Sequence, residues 1–110
     1  MTISGVLAQS TVSDLDRAES WYTTVLGSSP TDRPMDGLIE WQFAEQFGLQ
    51  VESEPDRSGR STVVLVESDL DDFVRRLDSA GVPHPEIVDA TTVRFLQLED
   101  PDGNRVVFVS

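Results

Sequence analysis

Apolar residues recur along this chain in two rhythms, and the switches between them mark its elements. Leu15, Ala18, Tyr22, Val25 and Leu26 fall at i, i+3, i+7, i+10 and i+11, the single stripe of an amphipathic helix. Leu70, Phe73, Val74, Leu77 and Ala80 form the matching stripe of a second helix. Elsewhere the period falls to two. Ile39, Trp41 and Phe43 alternate with Glu40 and Gln42, which predicts a half-buried strand. Ile3–Val12, Phe47–Val51, Ile87–Val88, Val93–Leu98 and Arg105–Val109 read as further strands, with a short edge strand near Ser28–Asp32. Thr62–Val66 is almost wholly apolar, so the expectation is a strand covered on both faces.

The two halves repeat one plan. Ser13-Asp14-Leu15-Asp16 returns letter for letter as Ser68-Asp69-Leu70-Asp71, and each helix that follows closes on a glycine, Gly27 or Gly81. Each serine is the expected N-cap, with Asp16 at the reciprocal position of a capping box. The residues thus divide into a module at 1–54 and a second at 61–110, joined by the polar stretch Glu52–Ser61. Neither half is large enough to support a core of its own, so the two are expected to make one domain. Strand, helix, then about three strands, taken twice, is an α+β pattern with an antiparallel-rich sheet.

Charge narrows the choice of partner. Twenty acidic residues against eight basic ones leave a formal charge of −12. Nucleic acid requires a cationic footprint and is excluded as a partner, and an anionic membrane surface is disfavoured. No apolar run approaches a membrane-spanning length, and residues 1–12 lack the pattern of a signal peptide, so the cytoplasm is the expected location. There is no cysteine, which removes disulfides, thiolate metal sites and a cysteine nucleophile. All eight basic residues are arginine, which removes Schiff-base chemistry on lysine. The one histidine, His84, lies between two prolines and reads as an exposed loop residue.

Several stretches together resemble the vicinal oxygen chelate superfamily, the group of glyoxalases, bleomycin-resistance proteins and extradiol dioxygenases. They are Thr11-Val12-Ser13-Asp14-Leu15-Asp16-Arg17-Ala18, Trp21-Tyr22, Val25-Leu26-Gly27 and the turn Asp100-Pro101-Asp102-Gly103-Asn104. The resemblance covers essentially the whole chain. It implies two βαβββ modules forming a curved mixed sheet around a ligand cup, with the modules paired within a chain or across a homodimer.

Enzymes of that superfamily hold a divalent metal in the cup, on side chains of the first, fourth, fifth and last strands. Carried over position by position, the first-strand ligand falls on Leu7, the last-strand ligand on Val107, and the fifth-strand ligand on Thr62 or Val63. None of these is an ordinary donor. Only Gln50 or Glu52 survives at the fourth-strand position, and one donor does not hold a metal. The expectation is therefore no metal and no cofactor.

Strand periodicity puts Gln9 and Thr11 on the same side as Leu7, and Val109 with Val107. Trp41 and Phe95 are candidates to stack on a planar ligand, Glu52 to pair with a cationic group. The candidate ligand-binding set is Leu7, Gln9, Thr11, Trp41, Gln50, Glu52, Phe95 and Val107. The reading is a metal-independent binding protein, similar to bleomycin-resistance proteins and expected as a homodimer, that holds an organic ligand, cationic or aromatic, in the cup. The alternative is a glyoxalase-like lyase, isomerase or dioxygenase-type enzyme with an atypical site, so enzymatic activity is left open.

Overall fold

The computed structural model describes residues 1–110 and contains two four-stranded sheets and two helices. The first sheet is built from β1 (Val6–Val12), β2 (Asp32–Met35), β3 (Leu38–Ala44) and β4 (Phe47–Ser53), in the order β1-β4-β3-β2. The second repeats it with β5 (Thr62–Val66), β6 (Val88–Asp89), β7 (Arg94–Glu99) and β8 (Arg105–Val109), in the order β5-β8-β7-β6. In each sheet the first strand pairs parallel with the fourth, and the remaining pairings are antiparallel. Helix α1 (Leu15–Leu26) or α2 (Leu70–Ser79) supplies the crossover that a parallel pair requires. This is the α+β, two-module architecture that the sequence pattern predicts; the two sheets stay separate and do not close on each other. No helix is long and apolar enough to cross a membrane.

Both helices are capped one residue later than expected. Asp14 and Asp69 are the N-caps, accepting from the backbone N–H of Arg17 and Asp72 respectively. An aspartate reaches the third N–H as well as serine does and adds a charge that the helix dipole favours. Ser13 is diverted. Its N–H and hydroxyl both donate to the Asp102 carboxylate, at 3.0 and 2.5 Å. At its other end α1 closes on Gly27 in the left-handed region (φ 78°). No basic residue lies in the last turn of α1, and Arg76 of α2 fills that role by donating to the carbonyls of Thr24 and Val25. A cation thus sits at the negative end of the helix dipole and ties the two modules together.

One core runs through both halves. Ala18, Tyr22 and Val25 of α1 and Leu70, Phe73 and Leu77 of α2 join one face of each sheet in a single apolar cluster. The sheet faces in it are Val12, Ile39, Trp41, Leu49 and Val51 on one side and Val63, Leu96, Leu98, Val106 and Phe108 on the other. The Tyr22 and Trp41 rings lie 5.9 Å apart, the Phe73 and Phe108 rings 4.3 Å.

The turn Asp100–Asn104 locks the seam. Asp100 is buried, and its carboxylate accepts from the N–H groups of Asp102 and Asn104, the Asn104 amide and the Tyr22 hydroxyl. Asn104 in turn donates to the Thr11 carbonyl and accepts from Ser61 N–H. The turn therefore binds β1, α1 and the start of β5 at once. Burial pushes the Tyr22 hydroxyl well above the ordinary tyrosine range, and the neighbouring Asp100 charge adds to the effect.

One expectation about burial and one about strand length fail. Thr62–Val66 is covered on one face only: Val63 is buried, whereas Val64 and Val66 are 57% and 85% exposed. Continuous apolar sequence does not reveal whether a second layer exists. Residues 1–5 lie outside any strand, because β1 begins at Val6, whose N–H bonds Gln46.

Candidate functional site

Register assigns every strand residue to the helix face or to the opposite, open face of its sheet. On the first sheet the open face carries three cross-strand rows: Leu7–Gly48–Gln42, Gln9–Gln50–Glu40 and Thr11–Glu52–Leu38. The candidates Leu7, Gln9, Thr11, Gln50 and Glu52 therefore share one surface. Thr11 and Leu38 are nearly buried, while Leu7 and Gln9 are exposed. Gly48 keeps the row next to Leu7 flat, since a Cβ there would lie 2.3 Å from the Trp41 carbonyl oxygen.

The middle row is a directed chain of hydrogen bonds. Gln50 Nε2 donates to Glu40 Oε1 at 2.8 Å, and Gln9 Nε2 donates to Gln50 Oε1 at 3.1 Å. An ionised carboxylate only accepts, so Glu40 fixes which end of each amide faces which neighbour. The acceptors left over are the second Glu40 oxygen and the Gln9 carbonyl, beside one unused N–H on each amide. The Glu40 carboxylate gives this surface its charge-assisted acceptor, which favours a ligand group that donates, a cation above all. Glu40 was legible in the sequence only as a polar member of the Ile39–Phe43 alternation; its place beside Gln50 depends on the strand order.

The second sheet presents different chemistry. Its open face has the rows Val66–Val109–Phe95–Val88, Val64–Val107–Gln97 and Thr62–Arg105–Glu99. Phe95 and Val107, expected in the site, lie here with Val109, which periodicity placed beside Val107, and with Val64, Val66 and Val88, which the sequence did not single out. The first row is wholly apolar, the second is apolar up to Gln97, and the third is polar. Six apolar side chains on one uncovered face exceed the scattered exposure that needs no account.

Trp41 does not share these surfaces. It lies on the helix side, 1% exposed, with its indole N–H donating to the Ser28 carbonyl at 2.9 Å. Alternation put Ile39 and Trp41 on one face correctly, but that face is the core. Phe43 leaves the alternation at a register shift in β3 and stacks with Phe47 outside the core, the ring centroids 6.4 Å apart. Trp21 and Tyr22 divide as adjacent helix residues must: Tyr22 is fully buried, and Trp21 lines a surface cleft. His84 is tethered to its surroundings, with Nε2 2.6 Å from Asp78 and Nδ1 2.7 Å from the Pro85 carbonyl. Those two acceptors, the carbonyl first, raise its pKa above the ordinary imidazole value.

The donor set does not fit a divalent metal. Leu7, Val107 and Val63 offer no donor atoms, Thr62 is a weak one, and no three His, Cys, Asp or Glu side chains converge anywhere in the chain. Glu52 and Gln50 lie in neighbouring rows of β4 without a third partner.

Comparison with known proteins agrees with this architecture. A glyoxalase/bleomycin resistance protein from Catenulispora acidiphila superposes with a TM-score of 0.87 at 29% identity, covering 96% of each chain. An antibiotic-binding protein from a Streptomyces species gives 0.80 at 25% identity, covering 98% of this chain and 96% of that one. A bleomycin-binding protein in complex with bleomycin shares the fold at 0.75 and 20% identity, with 96% of each chain covered. None of the curated proteins compared matches in sequence. The family model for these folds spans residues 6–108, and the chain belongs to the Glyoxalase/Bleomycin resistance protein/Dioxygenase superfamily.

Proposed function

We propose that this protein is a metal-independent binding protein that holds an organic small molecule on the open faces of its sheets. The observation that carries this reading is the uncovered apolar face of β5, β8 and β7, with Val64, Val66, Phe95 and Val107 in adjoining rows. The first sheet complements it with the acceptor row Gln9–Gln50–Glu40 and with Glu52. A ligand suited to both is amphipathic, with an apolar or aromatic body and a cationic, hydrogen-bond-donating group. The antibiotic-binding function named for the Streptomyces protein, at 25% identity, supports small-molecule binding on this fold. Holding such a ligand requires shape and affinity and no reacting group, in keeping with the poor donor set at the metal positions. We place the protein in the cytoplasm as a homodimer in which a second copy closes each open face into a cup.

Native mass spectrometry of the protein as purified tests this. The expected species is a dimer that retains an organic molecule. Stoichiometric divalent metal would overturn the metal-independent reading and favour an enzyme acting through Gln50 or Glu52. With bleomycin as a calorimetric probe, Val107→Glu should abolish binding while the thermal midpoint stays within a few degrees of wild type. Unchanged binding in that variant would remove the open face as the site.

A further inference from the structure

Strand β6 covers β7 for only two residues, pairing Val88 with Phe95 and Asp89 with Arg94. The hydrogen bonds at the strand ends fix which residues of β7 face which neighbour. Ser110 N–H donates to the Arg94 carbonyl and Asp100 N–H to the Asn104 carbonyl, so the even-numbered residues bond β8. Ala90 N–H donates to the Val93 carbonyl on the other side, so the odd-numbered residues face β6. Beyond Phe95 that side is open. The segment 82–87, with Pro83 and Pro85, makes no backbone bond to β7; Val82 N–H goes instead to the Leu77 carbonyl at the end of α2. The N–H and C=O of Gln97 and Glu99 therefore point into a gap without partners. The gap is a cleft of about 490 Å³ walled by Trp21, Val82, Pro83 and Pro85, with Leu98 on its floor.

An unpaired strand edge inside a groove is a template for an added strand. We propose that this cleft takes an extended segment of a partner protein, paired antiparallel to β7 where β6 stops, with an apolar residue next to a basic one. The register dictates that pattern. A residue opposite Leu98 shares the helix side of the sheet and meets Trp21 and Val82, which calls for an apolar side chain. A residue opposite Glu99 shares its exposed side, where a cation is complementary. The chain's charge of −12 favours the approach of a basic segment. The cleft shares only the Gln97 and Glu99 positions with the open face, so it does not depend on the small-molecule reading.

The test uses the peptide acetyl-Thr-Arg-Leu-Thr-amide, in which antiparallel pairing sets the arginine opposite Glu99 and the leucine opposite Leu98, and amide NMR of the full chain. Saturable shifts are expected at the Gln97 and Glu99 amides and the Trp21 indole. Three changes should each weaken binding by roughly tenfold or more: N-methylating the peptide arginine, replacing that arginine with glutamate, and the variant Gln97→Pro. The proline removes an N–H that the β8 ladder does not use, so the sheet is retained. The proposal is overturned by any of three results. One is equal binding of the N-methylated peptide, and another is shifts confined to the valine face. The third is no saturable shift up to about 10 mM peptide, weaker than the millimolar affinity of about −4 kcal/mol that marks a minimal specific site.

Discussion

Tyr22→Phe removes one oxygen atom from the seam between the modules. The Tyr22 hydroxyl donates to Asp100 Oδ2 at 2.7 Å, and both residues are buried. Without it the carboxylate keeps three of its four donors and loses one at a buried oxygen. Ser10 Oγ, buried beside the same hydroxyl without a hydrogen-bond partner, loses that polar neighbour. A buried hydrogen bond to a charged group contributes about 1.5–3 kcal/mol. Unfolding entropy near 2.1 cal/mol/K per residue gives roughly 0.23 kcal/mol/K for a chain of this length, so the midpoint should fall by about 6–13 °C. Calorimetry and urea unfolding would measure it. A loss below about 0.5 kcal/mol would refute the claim that this bond holds the seam. A double-mutant cycle with Asp100→Asn should return a coupling energy above about 0.5 kcal/mol, as expected of residues in one network.

The same residue has a signature at high pH. Its folded pKa is raised, so its contribution is fully present below the unfolded value near 10 and is lost as pH rises toward the folded one. Wild-type stability should therefore fall above about pH 10. In Tyr22→Phe that part of the alkaline decline should vanish, although the variant is weaker at neutral pH. Parallel alkaline limbs for the two proteins would contradict the assignment.

Three further substitutions probe other parts of the fold. His84 has a raised folded pKa, so its tether is at full strength below the unfolded value near 6.5 and weakens as pH rises through the folded one. Asp78 is largely exposed, which limits the stability difference between pH 5.5 and 8.5 to about 1 kcal/mol; His84→Gln should flatten it, and NMR of this lone imidazole should show titration above 6.5. Gly27→Ala forces a side chain into the left-handed region, 3.0 Å from the Arg76 guanidinium, and should cost about 1–2 kcal/mol by chemical unfolding. Gly48→Ala drives a Cβ against the Trp41 carbonyl oxygen, backbone that has no room to give; a loss above about 3 kcal/mol is expected, and a well-folded variant would mean that β3 and β4 separate more easily than their pairing implies.

Most elements were legible because local periodicity and the fold agree. The helix stripes at Leu15–Leu26 and Leu70–Ala80 and the strands Thr62–Val66 and Arg105–Val109 emerge within a residue or so of their predicted bounds. The misses share a cause, which is that a distant partner decided the outcome. Ser13 lost its capping role to Asp102, at the far end of the chain. Alternation grouped Ile39 with Trp41, yet only the position of α1 settles which face is core. Val64 and Val66 belong to a run that looks buried on both sides, and no local signal reports a missing layer. The acceptor row Gln9–Gln50–Glu40 draws on three separate strands, so it exists only once the order β1-β4-β3 is known.

The uncovered valine face and the large negative charge bear on each other. A β5 strand of sequence Thr-Val-Val-Leu-Val, apolar on its open side, is the type of segment that associates indiscriminately when nothing restrains it. Charged residues stand at the margins of that face: Glu67 directly after β5, Asp89 paired with Arg94 at the end of β6, and Glu99 opposite Arg105 at the end of β7. Charged residues at its rim, together with the net charge of −12 that sets copies against each other, oppose random contact while leaving the centre apolar. The acceptor row on the first sheet, anchored by the Glu40 carboxylate, complements a ligand that donates. Acidity in this chain therefore bears on more than solubility, because it favours the approach of cations over anions to an apolar surface that the fold leaves open.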